Sequence, residues 1–217
     1  MEQPQQINNT SERLVDDLKS RLSTQSRISI AAASFSIYAF EAMKAELEKV
    51  EEMRFIFTSP TFVADKTKKE KREFYIPKLN RERNLYGTEF EIKLRNQLSQ
   101  KAIAKECAAW IRKKVKFKSN SSQEGMGGFL HLCDGEPSAL PVFDMNVPSK
   151  QHVYLPFDDF STTQLGCEKG NNVYTMVNVL PSPSAEAYLQ IFNQQWENDE
   201  KFKDVTARVL EYIETVY

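Results

Sequence analysis

The fold of this chain is decided by residues 27–60, RISIAAASFSIYAFEAMKAELEKVEEMRFIFTSP. Residues 27–35 alternate and then become small and apolar, which is typical of a buried strand. Ser34 or Ser36 can cap the helix that follows, and this helix has an apolar face. Residues 53–58 form a second apolar strand. Because a crossover helix joins the two strands, the unit favours a parallel sheet with a right-handed connection.

The same reasoning predicts the other elements of the chain. An N-terminal helix follows the capping residues at 9–12, and a long helix at 89–113 precedes a half-exposed strand at 115–118. Further strands are predicted at 129–133, 139–143, 153–157 and 173–180, and two closing helices at 184–196 and 203–216. The expected fold is therefore α/β, with a mixed, largely parallel sheet flanked by helices on both faces.

Length and composition indicate one domain without membrane segments. The 217 residues are 41% hydrophobic and 27% charged, which suits a single globular core. We predict a flexible lead-in at 1–10 and one domain at 11–217, which ends in or just after a helix, as the N-terminal part of a longer protein would. The sequence contains no run of about 18 apolar residues, so no membrane span is predicted. The three cysteines are widely spaced, which fits a reducing cytoplasm.

The charge of the chain is distributed unevenly. Residues 64–118 contain 17 Lys and Arg against 7 Asp and Glu, a net charge of +10 within a chain of net charge −1. This asymmetry favours a polyanionic partner, although solvated helix faces and a charged loop explain it equally well. The candidate phosphate-binding residues are Arg112, Lys113, Lys114, Lys116 and Lys118, together with Lys68, Lys69, Lys71 and Arg72. Lys116 and Lys118 alternate on a strand and should share one side, whereas the helix dipole alone could explain the lysines that end the helix.

Known catalytic and cofactor motifs are absent from the sequence. It contains no phosphate-binding P-loop, no dinucleotide-binding glycine pattern, no zinc-protease motif and no nucleophile elbow. With only two histidines, His131 and His152, a histidine-rich metal centre is excluded. Carboxylates could hold magnesium, and those available are Asp134, Glu136, Asp144, Asp158 and Asp159. Adjacent acids such as Asp158 and Asp159 are more often a solvated turn or a helix cap, so no metal or cofactor is predicted.

Two stretches carry a resemblance to a known family. The opening, RISIAAASFSIYAFEAMKAELEKVEEMRFIFTSPTF, and the close, VYTMVNVLPSPSAEAYLQIFNQQWENDEKFKDVTARVLEYIETVY, resemble phospholipase-D-like (HKD superfamily) domains. Such domains occur in bacterial nucleases and at the N-termini of bacterial Swi/Snf-type helicases. The resemblance covers most of the chain through the order of its elements rather than through invariant motifs.

The resemblance implies a degenerate active site in this chain. Active members carry a His-x-Lys pair on a strand, in which the histidine attacks phosphorus and the lysine stabilises charge on the phosphate. His131 in GFLHLCD matches that histidine, but Cys133 replaces the lysine. Asp158 and Asp159 then lie where the family has small polar donors, and two acids repel a phosphodiester.

We therefore expect a non-catalytic accessory domain that contacts nucleic-acid phosphates, DNA in preference to RNA. An attached or partner helicase or restriction-type machine follows from the resemblance, as does a homodimer. Two alternatives remain open. The first is an active phosphodiesterase or nuclease that uses His131, and the second is a protein-interaction domain in which the basic segment binds an acidic partner.

Overall fold

A computed structural model describes residues 2–61, 97–135, 149–168 and 176–216 of the chain. Its strands are β1 (Gln5–Ile7), β2 (Ser26–Ala32), β3 (Ser34–Phe35), β4 (Glu52–Phe57), β5 (Val115–Asn120), β6 (Phe129–Asp134), β7 (Gln151–Leu155), β8 (Asp159–Phe160), β9 (Val177–Pro181) and β10 (Phe202–Asp204). Its helices are α1 (Leu14–Arg21), α2 (Ile37–Ala42), α3 (Lys44–Leu47), α4 (Gln97–Lys114), α5 (Ser184–Glu197) and α6 (Thr206–Val216). The α/β class is confirmed.

Eight of these strands form one mixed sheet in the order β1-β9-β7-β6-β2-β4-β5-β10. The prediction of a largely parallel sheet is wrong, because only the β2–β4 and β4–β5 pairs are parallel and the other five are antiparallel. Helices return the chain between the parallel strands. By contrast, the loop that leads from β5 to β6 contains no helix. Strand β6 therefore starts at the same end of the sheet at which β5 ends, and it runs antiparallel to β2.

Helices cover both faces of the sheet, as predicted. The face that we call the major face carries most of the core, including Phe55, Phe117 and Leu130, and packs against α1, α2, α3, α4 and α6. The opposite face, called the α5 face, carries a smaller cluster in which Ile56 and Phe129 pack with Phe192 of α5. Within the described residues, no helix combines the length and apolar character that a membrane crossing requires.

The two ends of the chain add edge strands that differ from the predictions. Within the segment predicted as a flexible lead-in, Gln5–Ile7 pairs with β9, and Ile7 is buried against the core. At the other edge, Phe202–Asp204 pairs with β5 where the start of the last helix was predicted. Each strand has only three residues, which is too short for a periodic sequence signal.

Candidate nucleic-acid interface and the His131 strand

The first group of predicted phosphate-binding residues, Arg112 to Lys114 with Lys116 and Lys118, spans the junction at which α4 ends at Lys114 and β5 begins at Val115. The structure divides its cations between the two sides of the sheet. Val115 and Phe117 pack into the major-face core, so Lys116 and Lys118, which alternate with them, project from the α5 face. The two lysines therefore share one side, as predicted, whereas the cations of α4 belong to the helix layer on the major face.

Two of the α4 cations are engaged within the protein. Arg112 forms an ion pair with Glu214 of α6, and both side chains are about half exposed. The ammonium of Lys114 donates a hydrogen bond to the carbonyl oxygen of Val50 at 2.6 Å. That bond joins the end of α4 to the turn that precedes β4, so Lys114 has a structural role at the junction.

Lys118 is also committed to an internal contact. Its ammonium donates to Asp199 Oδ1 and to the carbonyl oxygen of Trp196, each at 2.6 Å, and its side chain is only 12% exposed. The hydrogen bond from Lys118 lowers the pKa of Asp199. By contrast, Lys113 and Lys116 are exposed, and no acidic group among the described residues lies within ion-pair distance of either. Of the five candidate residues at this junction, Lys113 and Lys116 are therefore the two whose charge is available to an external phosphate.

Arg54 is a further cation of the α5 face that sequence reasoning missed. It lies on β4 as the register partner of Lys116 on one side and of Ser29 on the other. Its guanidinium stacks over the rings of Phe192 and Trp196, with centroids 4.9 and 5.6 Å away, and Nη2 donates to Ser29 Oγ at 3.0 Å. Burial lowers the pKa of Arg54. In the sequence, this residue could have been recognised as a charged side chain within the otherwise apolar strand MRFIFT.

His131 is a buried histidine on β6 that projects from the α5 face. It is 1% exposed, and its Nε2 donates to Gln151 Oε1 on β7 at 3.0 Å. Burial lowers the pKa of His131 to about 4, although the hydrogen bond to Gln151 opposes this shift. The ring is therefore neutral near pH 7, and one nitrogen is already engaged with a neighbouring strand. This geometry is that of a satisfied core histidine.

Cys133 occupies the position at which the resemblance places a lysine. Its thiol is buried and donates to the carbonyl oxygen of Gly135 at 3.2 Å. Burial, followed by the charge of Asp134, raises the pKa of this thiol. A protonated cysteine carries no positive charge, so it cannot replace the lysine in holding a phosphate.

The carboxylates considered for magnesium lie at two ends of the sheet. Asp134 ends β6 and accepts a hydrogen bond from Ser23, whereas Asp159 begins β8 and accepts one from Ser34 at 2.7 Å. Asp134 lies opposite Ser26 at the start of β2, whereas Asp159 lies opposite Ser34, just beyond the end of β2. The two acids are therefore at opposite ends of the strands. In the part of the chain that the structure describes, no three His, Cys, Asp or Glu side chains form a possible metal site.

His152 follows a turn in the sequence, as surface residues often do, but it is buried in a polar network. Its Nε2 lies 2.8 Å from both Glu2 Oε1 and Arg21 Nη1. Tyr154 on the same strand donates to Asp17 of α1, and Asp17 also accepts from Arg21 at 3.1 Å. The network therefore ties the N-terminal residues and α1 to β7, across the major face.

The second basic group lies outside the described residues. It consists of Lys68, Lys69, Lys71 and Arg72. The acids Glu136 and Asp144 and the predicted strand at 139–143 also lie outside them.

No protein-family model and no curated protein matches this sequence significantly.

Proposed function

We propose that this chain is a catalytically degenerate, phospholipase-D-like accessory domain that contacts nucleic-acid phosphates, DNA in preference to RNA. In this role it serves an attached or partner helicase or restriction-type machine. The observation that carries the proposal is the pair of exposed lysines, Lys113 and Lys116, on either side of the α4–β5 junction. Exposed ammonium groups bind backbone phosphates without reading the base sequence.

The geometry of β6 supports binding without catalysis. A nucleophile must approach phosphorus to about 3–3.5 Å, and His131 is 1% exposed with Nε2 engaged by Gln151. Cys133 supplies no positive charge beside it. Loss of one preorganised donor typically lowers the rate by about 10²–10³. A histidine that is both covered and without its lysine is therefore a poor phosphodiesterase.

The test measures binding of labelled duplex and single-stranded DNA to the full chain by fluorescence anisotropy across a salt series. Lys113→Gln with Lys116→Gln removes the two exposed cations of the junction. Lys101→Gln with Lys105→Gln is the matched control, because it removes two exposed charges from α4 outside the junction. If each junction lysine contacts one phosphate, the slope of log K against log salt on duplex falls by about 2.

Each outcome assigns a different role to the junction. A flattened slope in the Lys113/Lys116 variant and an unchanged slope in the control support the proposal. Equal losses in both variants would mean that overall charge, rather than the junction, attracts DNA. Absence of binding at low salt would overturn the proposal in favour of a protein-interaction domain, and DNA cleavage that disappears in His131→Ala would favour the nuclease alternative.

A further inference from the structure

Arg54 stands out on the α5 face because its half-buried charge has no carboxylate partner among the residues that the structure describes. A guanidinium carries five N–H donors and stays charged in proteins. One of these donors bonds to Ser29, and among the described residues no carboxylate lies within 4.0 Å of the group. A partly buried charge that lacks an opposite charge is costly unless another group compensates for it.

Two acids act on Arg54 electrostatically, but neither forms an ion pair with it. Glu52 precedes it on the same face and pairs with Arg27, and Glu197 at the end of α5 acts on Arg54 without an ion pair. The last turn of α5 also leaves carbonyl oxygens that attract cations. Lys118 already donates to one of these, the carbonyl of Trp196. Neither acid nor helix end therefore satisfies the guanidinium directly.

Lys116 completes a positive pair with Arg54. The two residues are register partners on the parallel strands β4 and β5 and project from the same face. Neighbouring strands are separated by about 4.8 Å. Lys116 therefore projects beside Arg54 from the neighbouring strand. Contact with the rings of Phe192 and Trp196, together with the bond to Ser29, holds the guanidinium in place.

We propose that Arg54, Ser29 and Lys116 form a site for one phosphate group on the α5 face. The fixed fork of the guanidinium binds two phosphate oxygens, Ser29 holds the fork in place, and Lys116 adds a second charge at the rim. The phosphate has two sources, either a nucleic-acid backbone or a free phosphate compound. This phosphate site can be tested without DNA, because binding of a small phosphate compound does not depend on whether the α4–β5 junction binds DNA.

The experiment titrates the full chain with inorganic pyrophosphate and follows the arginine Nε–H signals by ¹⁵N NMR, with Arg54→Lys used to assign the signal of Arg54. We expect saturable binding that shifts the Arg54 signal. Arg54→Lys keeps a cation over the rings but loses the fork, and it should weaken binding about tenfold. Lys116→Gln alters an exposed residue that leaves the core intact, and it should weaken binding severalfold.

The matched control is Lys105→Gln, which removes one exposed lysine from α4 on the major face and should leave the affinity unchanged. The inference is overturned if pyrophosphate does not saturate, or if Arg54→Lys and Lys116→Gln bind it as the unmodified chain does. Arg54 is then a stacked structural arginine. Displacement of pyrophosphate by an oligonucleotide identifies a nucleic-acid phosphate as the source, whereas no displacement identifies a free phosphate compound. Failure of DNA binding in the anisotropy assay leaves this readout intact, so the two proposals fail separately.

Discussion

Replacement of Gly128 by alanine should destabilise the sheet at the point where β6 enters it. A Cβ at this position would lie 2.2 Å from the carbonyl oxygen of Phe157 and 3.1 Å from that of Ala31. Ordinary contact begins at 3.4 Å, so the approach to Phe157 is 1.2 Å too short. Both neighbours are backbone atoms, one on strand β2 and one between β7 and β8, and they cannot move aside as the end of a side chain can.

The size of the effect follows from two costs and one smaller gain. Overpacking typically costs about 1–3 kcal/mol. The amide of Phe157 donates to the carbonyl of Gly128 at 3.1 Å, and separating these groups costs about 1–3 kcal/mol. The smaller conformational freedom of alanine in the unfolded chain returns about 0.4–1 kcal/mol. We expect Gly128→Ala to lower the free energy of unfolding by about 2–5 kcal/mol.

Urea denaturation followed by circular dichroism measures this difference. Gly125→Ala and Gly127→Ala are matched controls in the same loop, because a Cβ at either position meets no atom within 4 Å. The two controls should lie within about 0.5 kcal/mol of the unmodified chain. If Gly128→Ala unfolds at the same urea concentration as these controls, the close approach of β6 to Phe157 is refuted.

Two further predictions concern buried polar groups. The pKa of His131 is lowered to about 4, so its neutral form stabilises the fold above pH 6.5, and roughly 3 kcal/mol is lost as pH falls from 6.5 to 4. His131→Asn should remove this pH dependence in urea unfolding, and an equally steep loss in the variant would contradict the assignment. Tyr154→Phe removes the hydrogen bond to Asp17 and should cost about 1–2 kcal/mol, whereas Tyr188→Phe, at a partly exposed ring, should cost under about 0.5 kcal/mol.

Local patterns were sufficient for the apolar strands and the helix cap of the opening unit. Strand β2 and strand β4 lie within two residues of the predicted N-terminal boundaries, because their apolar runs are buried on both faces. The predicted cap is also confirmed, since Ser36 Oγ accepts from the amides of Tyr38 and Ala39 at the start of α2. The single predicted helix that follows is instead two short helices, α2 and α3, which meet at Met43.

Long-range partners were not predictable from local pattern. Lys118 has the appearance of a solvated strand residue, yet its partner Asp199 lies 81 positions further along the chain. His152 follows a turn, and the acid that contacts it is 150 positions away, at Glu2. A side chain's exposure depends on which distant element packs over it, and this information appears only when the sheet order is known.

The arrangement of the α5 face also bears on why binding and catalysis would separate in this chain. Lys116, Arg54, Ser29 and His131 occupy one register row across β5, β4, β2 and β6. The two cations of the row lie on β5 and β4, and β2 separates them from His131. The guanidinium of Arg54 reaches Ser29 on β2, so a phosphate held there would lie one strand spacing, about 5 Å, from the histidine strand. Attack requires an approach of about 3–3.5 Å, and His131 is 1% exposed with Nε2 bonded to Gln151. A covered histidine beside exposed charge suits a phosphate that is held and not cleaved, so His131→Asn should leave pyrophosphate affinity unchanged at pH 7 while Arg54→Lys weakens it.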